Sequence, residues 1–410
     1  MPSISKVICL GLGLLLASCA SYPSKVGPIR SAFEAGDAEG AINSLKTFSQ
    51  KKDSDELLYL LELAMAYHAS GNYTEAIRTF HEAEKLSDAT DYTSITQEAA
   101  SVALNDTLKK HKIDQYEKVL LSMYLAVDYT LLGDWESALV ECRRLNHKLA
   151  VLEAAGELSF QKNAFAKYLA ALLFENRGEY NDAWVDYKQA KEWAPQFPYH
   201  GTGLIRMAEK LRVSQELASY RKEYPEAKND GLKKDRGDLV VLVEVGRAPF
   251  KQEDPNVRLV PVMVSSYYGT DYVEVDTGDG TTSKRSYPLF DIEATAIREL
   301  EERRAAMVAK KIAGIVAKEA AAAGIGQATK NKNLGLLSSI LLHLTDRPDL
   351  RSWMFLPANL QIVRTTLPVG KHTLAIDKVN RMGEKIRWKQ LESVEIKPSR
   401  ITFVNLRSVE

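Results

Sequence analysis

One spacing recurs along the N-terminal half of this chain and limits what it can fold into. It reads Gly71-Asn72-Tyr73, then Ala76, Phe80 and Ala83, and returns as Gly178-Glu179-Tyr180, Ala183, Tyr187 and Ala190. A looser copy runs from Gly133-Asp134-Trp135 through Ala138 to Cys142, and a faint one from Gly36-Asp37 through Ala41 to Leu45. Glycine adopts the left-handed backbone that ends a helix in a tight turn. The small alanine lets the next helix come close, and the aromatics fill the groove between the two. Such a helix–turn–helix unit buries its apolar face only by stacking on neighbours.

The pattern is that of the tetratricopeptide repeat, and residues 28–227 read almost wholly as helix. Apolar residues recur at three and four in Leu57, Leu60, Leu61 and Ala64, and again in Val119, Leu120, Met123 and Val127. Pro195 stands where such units end, and Gly201 to Tyr224 forms a last helix pair. The glycines are unevenly spaced, so residues 88–116 and 146–163 are expected as inserted helices. In a tetratricopeptide unit the first helix lines the concave face through its second, fifth and ninth positions. Counted from the turn glycines, these are Leu58, Leu61 and Met65, then Leu120, Met123 and Val127, then Phe165, Tyr168 and Leu172. None is charged, so the Lys/Asn/Arg clamp with which chaperone-binding members grip a peptide carboxylate is absent. Two occupants remain open for this apolar groove: the chain's own inserted helices, or a partner protein.

The N-terminus reads as an export signal. Lys6 precedes an apolar run, Val7 to Ala17, that is too short to span a bilayer. It ends in Leu16-Ala17-Ser18-Cys19, which resembles the bacterial lipobox. The resemblance implies a signal peptide over 1–18, acylation of Cys19 and a tether over 19–27. Ala20 is not the Asp that retains such proteins at the inner membrane, so a Gram-negative source implies the outer membrane, facing the periplasm. Of the three cysteines, Cys9 leaves with the signal and Cys19 is acylated. Cys142 is then alone, no intrachain disulfide is possible, and its repeat position makes it a buried, inert thiol.

Residues 228–237 are charged and punctuated by glycine, a domain boundary. Beyond it the hydrophobic period shortens to two. Strands are expected over 238–245, 257–265, 272–276, 283–290, 360–367, 371–379, 386–394 and 401–409, which makes residues 238–410 a β-sandwich-like domain. A helical insertion interrupts it at 292–345, with Ile297, Leu300, Val308, Ile312 and Ile315 on one stripe. The insertion reads either as a cover for one face of the sheet or as a membrane-surface or partner-binding hairpin. The fold class is therefore α+β and multidomain, an all-α superhelix followed by a β-sandwich with a helical insertion.

Several segments are similar to a family of tetratricopeptide-containing lipoproteins of the Gram-negative outer membrane. They are Tyr116 to Leu120 with Tyr129 to Arg144, Asn163 to Pro195, Arg351-Ser352-Trp353 with Leu356-Pro357, and Leu367 to His372. The likeness covers most of the mature chain and implies envelope location and architecture, with no catalytic residue to carry over. Trp353 is expected in the core, and Arg143-Arg144 as either an acidic-partner contact or ordinary surface pairing with Glu141 and Asp134.

Chemistry was sought and not found. Asp276-Thr277-Gly278 matches half an aspartic-protease signature, but one loop lacks the second carboxylate, and the Asp reads as turn chemistry. Ser49 to Lys52 and Ser159 to Lys162 satisfy Ser-x-x-Lys without companion motifs. The seven histidines never pair at metal spacing, with His68 and His81 on opposite sides of one turn. Lys+Arg and Asp+Glu both number 54, so no net charge draws nucleic acid. The chain is read as a non-enzyme with no cofactor and no metal. It is a scaffold or regulator that binds envelope proteins, in cell-wall synthesis or as an accessory of a secretion or surface-polymer export machine.

Overall fold

The computed structural model describes residues 21–97, 110–154, 162–227, 233–278, 283–328, 333, 336 and 347–409. Among the described residues ten helices come first and pair as five hairpins: α1 (Tyr22–Glu34) with α2 (Ala38–Ser49), α3 (Glu56–Ala69) with α4 (Tyr73–Gln97), α5 (Gln115–Leu132) with α6 (Trp135–Ala154), α7 (Ala164–Arg177) with α8 (Tyr180–Trp193), and α9 (His200–Leu211) with α10 (Ser214–Glu223). One hydrogen bond is common to all five turns. The amides of Asp37, Asn72, Asp134, Glu179 and Val213 donate to the carbonyls of Ala32, Tyr67, Tyr129, Phe174 and Ala208, at 2.9–3.0 Å. This six-to-one closure needs a left-handed residue. Gly36, Gly71, Gly133 and Gly178 supply it, and in the fifth turn Arg212 does so at φ 59°.

Three expectations about this half are corrected. Residues 22–27 are not a tether. They open α1, because Pro23 sits in the first helical turn, where no intrahelical donor is needed, and Tyr22 and Val26 are buried. Residues 88–97 and 146–154 are not separate helices but lengthen α4 and α6, while 98–109 and 155–161 lie outside the described residues. Cys19 and the rest of the signal, 1–18, also lie outside them.

The β half holds ten strands: β1 (Arg236–Val245), β2 (Phe250–Glu253), β3 (Pro261–Val264), β4 (Thr270–Asp276), β5 (Lys284–Arg285), β6 (Tyr287–Asp291), β7 (Asn359–Pro368), β8 (Gly370–Asn380), β9 (Lys385–Ile396) and β10 (Ile401–Ser408). They form two four-stranded sheets, β10-β1-β7-β6 and β5-β4-β8-β9, and a β2-β3 hairpin. The sequence reading missed polar β2, and the expected 257–265 shrinks to β3. Asp254 Oδ1 accepts the amides of Asn256 and Val257 and turns the chain there. The first two residues of β1 come from the expected linker, whose residues 228–232 are outside the described set.

Strand β1 is buried on both faces. Leu239, Val241, Val243 and Val245 pack between the two sheets with Val273, Val275, Leu374 and Ile376. Its other face turns Val240 and Leu242 into the same core as the helices, with charged Asp238 and Glu244 at either end. The inner sheet is thus shared, a sandwich on one side and a cover for the helical array on the other.

The insertion opens with a helix of 37 residues, α11 (Ile292–Ala328). It packs against β3 and β7. Its start docks on the beginning of α5, where Glu299 accepts the amides of Gln115 (3.1 Å) and Tyr116 (3.3 Å), a carboxylate at a helix N-terminus. Ile312, expected on its buried stripe, is 56% exposed. Residues 329–332, 334, 335 and 337–345 of the expected insertion are outside the described residues.

Candidate functional site: the filled inner face and the cleft beside it

The nine positions expected to line the groove, Leu58, Leu61, Met65, Leu120, Met123, Val127, Phe165, Tyr168 and Leu172, are all buried in one continuous core. They do not form an open surface, and the described cover is not an inserted helix. It is the chain's own C-terminal half. An array of first helices that is apolar on every side has to be enclosed, because exposed apolar area costs roughly 25 cal/mol per Å².

Over the first three hairpins the cover is a strap, residues 351–358, without regular structure yet buried at every residue. A buried irregular segment has backbone donors that need acceptors. Glu62 on α3 accepts the amides of Met354 (2.6 Å) and Phe355 (2.8 Å) and the Tyr22 hydroxyl (2.7 Å). Glu117 on α5 accepts the amide of Trp353 at 3.3 Å and closes a capping box with Asp114. Burial pushes the Glu62 carboxyl up to about 7 against the pull of those donors. At the strap's start, Arg351 reaches Asp55 at 3.2 Å. Trp353 stands between Phe80 and Tyr124, with ring centroids 6.1 and 6.2 Å away.

Over the later hairpins the cover is the inner sheet, held at the two ends of β1 by buried ion clusters. At one end Asp238 meets Arg206 on α9 (2.8 Å) and Arg364 on β7 (2.7 Å). Glu175 on α7 meets the same two arginines at 2.5 and 3.0 Å. Arg364 also donates to the hydroxyls of Tyr187 (2.9 Å) and Tyr168 (3.3 Å). The two guanidinium groups hold both carboxyls below their usual range, against burial. At the other end Glu244 meets His68 Nε2 on α3 at 2.6 Å and Arg407 on β10 at 2.6 Å. His68 Nδ1 is bonded to Asp128 on α5, and the Asn405 side-chain amide lies 3.0 Å from Nε2. Burial opposes the charge on His68, but its two carboxylate neighbours prevail and raise it to about 10. Glu244 is lowered to about 2 despite its burial, by His68 and Arg407.

The sequence reading listed His68 as unpaired and did not single out Glu62, Glu117, Asp128 or Glu175. A signal was present, since each is an ionisable residue in an otherwise apolar first helix. His68 and Glu175 even share a repeat position, three residues before the turn glycine.

The remaining sequence candidates resolve locally. Arg143 pairs with Glu179 at 2.8 Å, and Arg144 with Glu84 at 3.1 Å and buried Glu141 at 3.3 Å, both guanidinium groups being exposed. Asp134 instead accepts from Ser137 at the start of α6. Asp276 Oδ1 accepts the Gly278 amide at 2.9 Å, a turn. Cys142 is buried with its thiol pushed up by burial. Among the described residues no group of His, Cys, Asp and Glu is placed to hold a metal ion. No described helix is long and apolar enough to cross a membrane.

Beside the arginine cluster lies a cleft of about 710 Å³. The end of α10, the turn before α9, and strands β1, β5 and β7 form its walls. Tyr199, Tyr224, Arg236, Lys284 and Thr366 line it, with Arg364 at its floor.

No family model matches the chain, and no curated protein matches it. Solved structures of MamA overlap about half of the chain. A crystal structure of MamA spans 48% of this chain and 92% of its own at 18% identity and a TM-score of 0.35. Residues 41 to the end of MamA from Desulfovibrio magneticus RS-1 span 49% of this chain and 94% of their own at 16% identity and a TM-score of 0.34. Both superpositions are loose, so the helical-hairpin architecture rests on this chain's own turns and packing.

Proposed function

We propose that this chain is a lipid-anchored scaffold of the bacterial envelope, held through Cys19 at the periplasmic face of the outer membrane, where it binds envelope proteins. The observation that carries the reading is the filled inner face. A stack of helical hairpins whose concave side is closed by its own strap and sheet is a rigid platform, and its partner surfaces are those that stay outside. On the outer helices Val140 and Val185 occupy the same repeat position and are 50% and 57% exposed. In this reading the chain catalyses no reaction, and its task is to hold or regulate partners, of which the cell-wall synthesis machinery is the one proposed. A second reading makes it an accessory subunit of a secretion or surface-polymer export machine. That reading draws on α11, where Ile312 and Val316 are 56% and 64% exposed, apolar side chains that a neighbouring subunit would cover.

Helix α1 starts at Tyr22, so only Ala20 and Ser21 separate it from Cys19, and an acyl anchor there keeps the array close to the bilayer. Cys19→Ser is expected to leave the chain unprocessed or in the soluble fraction. Palmitate labelling and outer-membrane fractionation of that variant would refute the anchor. For the partner surface, a photo-crosslinking residue is placed at Val140, Val185 or Ile312 in cells. Products from the first two support the scaffold reading, products from Ile312 alone favour the second, and none from any position sinks both.

A further inference from the structure

The cleft beside the arginine cluster contains an imbalance of charge. Its floor is neutral, because Arg364 and Arg206 are matched by Glu175 and Asp238 and every guanidinium nitrogen of Arg364 is bonded. On its rim Glu223 is held by Lys191 at 2.6 Å. Two cations are left. Arg236 uses Nη2 on the Thr366 carbonyl at 3.2 Å, while its Nε is shielded from solvent and makes no hydrogen bond. Lys284 makes no ion pair or hydrogen bond with any described residue. Against these two stands one free acid, Glu226, exposed at the cleft's edge. The lining therefore carries a surplus of one positive charge, where most buried and half-buried cations of this chain are individually paired.

Arg236 Nη1 makes no hydrogen bond with any described residue, and an open guanidinium N–H is a ready donor to a ligand oxygen. Guanidinium edges take carboxylates in planar geometry. The surplus of one matches a monoanion, whereas a dianionic phosphate would overshoot it beside Glu223 and Glu226. Tyrosine and proline walls and a volume within the range of small-molecule sites add an organic skeleton to the anion.

We propose that this cleft binds an organic carboxylate, either a free amino-acid-like acid or the C-terminal end of a short peptide. Arg236 takes the carboxylate, Lys284 supplies the second charge, and the rings of Tyr199 and Tyr224 flank the carbon skeleton. The proposal does not depend on the anchor at Cys19 or on the outer-helix surface.

The test is calorimetric titration of the purified full chain with four probes: N-acetylalanine, acetyl-Ala-Ala-Tyr as the free acid, the same peptide as its C-terminal amide, and inorganic phosphate. The free-acid peptide is expected to bind at least tenfold more tightly than the amide and than phosphate. Arg236→Gln is expected to weaken it at least tenfold, and Lys284→Gln several-fold, with melting temperatures near the parent's. N-acetylalanine binding as tightly as the peptide assigns the site to a free acid, and weaker binding assigns it to a chain end. Equal affinity for acid and amide, tighter phosphate, or no heat from either acid overturns the proposal. If Arg236→Gln fails to fold, Lys284→Gln decides, because its side chain bonds to no described residue, and undiminished binding there also overturns it.

Discussion

The two ends of β1 do the same mechanical task with different chemistry. At Asp238 the bond to the helices is made by two guanidinium groups, which stay charged at every pH a protein meets. At Glu244 it is made by one guanidinium and one imidazolium. Each cluster holds two positive and two negative groups when His68 is protonated. Losing that one proton leaves the His68 end with excess negative charge buried in the core, and the arginine end has no equivalent step. The sheet is therefore attached to the helices by one pH-independent fastening and one that titrates.

Arg364 makes the largest single break. Arg364→Met strips Glu175 and Asp238 of a shared partner and removes the hydrogen bonds that the Tyr168 and Tyr187 hydroxyls accept, leaving those they donate to the Tyr199 carbonyl and to Glu175. The expected cost is about 5 kcal/mol, nearly constant between pH 6 and 9.5 and read by denaturant unfolding. Phe165→Ala tests the apolar core between the fastenings, with about 3–4 kcal/mol lost through the cavity it leaves. An unchanged midpoint would mean that this position is not enclosed.

The His68 end is tested by pH. Its folded-state value is raised above the unfolded 6.5, so its contribution is complete below pH 6.5 and is lost as pH rises through about 10. Buried Glu62 and Glu117, raised to about 7 and 8, lower stability as pH climbs from 4.5 through those values. From pH 8 to 9 the largest share of the slope is that of one proton on His68, about 1.4 kcal/mol lost per pH unit, with smaller losses added by Glu117 and by the Cys142 thiol that burial pushes up. His68→Gln should remove most of it, and a slope that survives the substitution undiminished belongs to another group. The smallest effect is expected at the surface. Arg143→Ala removes an exposed pair with Glu179 and should change stability by less than about 1 kcal/mol.

The sequence showed the hairpins because their turns are local. Gly36, Gly71, Gly133 and Gly178 mark left-handed positions that only a few residue types favour. Arg212 adopts the same conformation in the fifth turn and carries no such mark. The expected tether 19–27 hid the first turns of α1, because a proline in the first turn of a helix removes no bond and Pro23 therefore does not bar a helix there. That the first helices are enclosed could be read from their lack of a polar face. What encloses them could not. The strap finds its acceptors at Glu62 and Glu117, more than two hundred positions earlier in the chain, and no spacing rule joins residues that far apart. The arginine cluster has the same difficulty, since Glu175, Arg206, Asp238 and Arg364 meet only in the fold.

The parallel pairing of β10 with β1 has a consequence for the order in which the molecule can be made. A ribosome or an export channel delivers the five hairpins first and the strap and β10 much later. During that interval the faces that will carry Trp353, Phe403 and Arg407 stand open to water, with His68, Glu62 and Glu175 not yet neutralised from the other side. Such a chain is vulnerable in a particular way: termination before Arg351 yields an array that is well formed in its turns and lacks the strap and most of the sheet that cover its inner side.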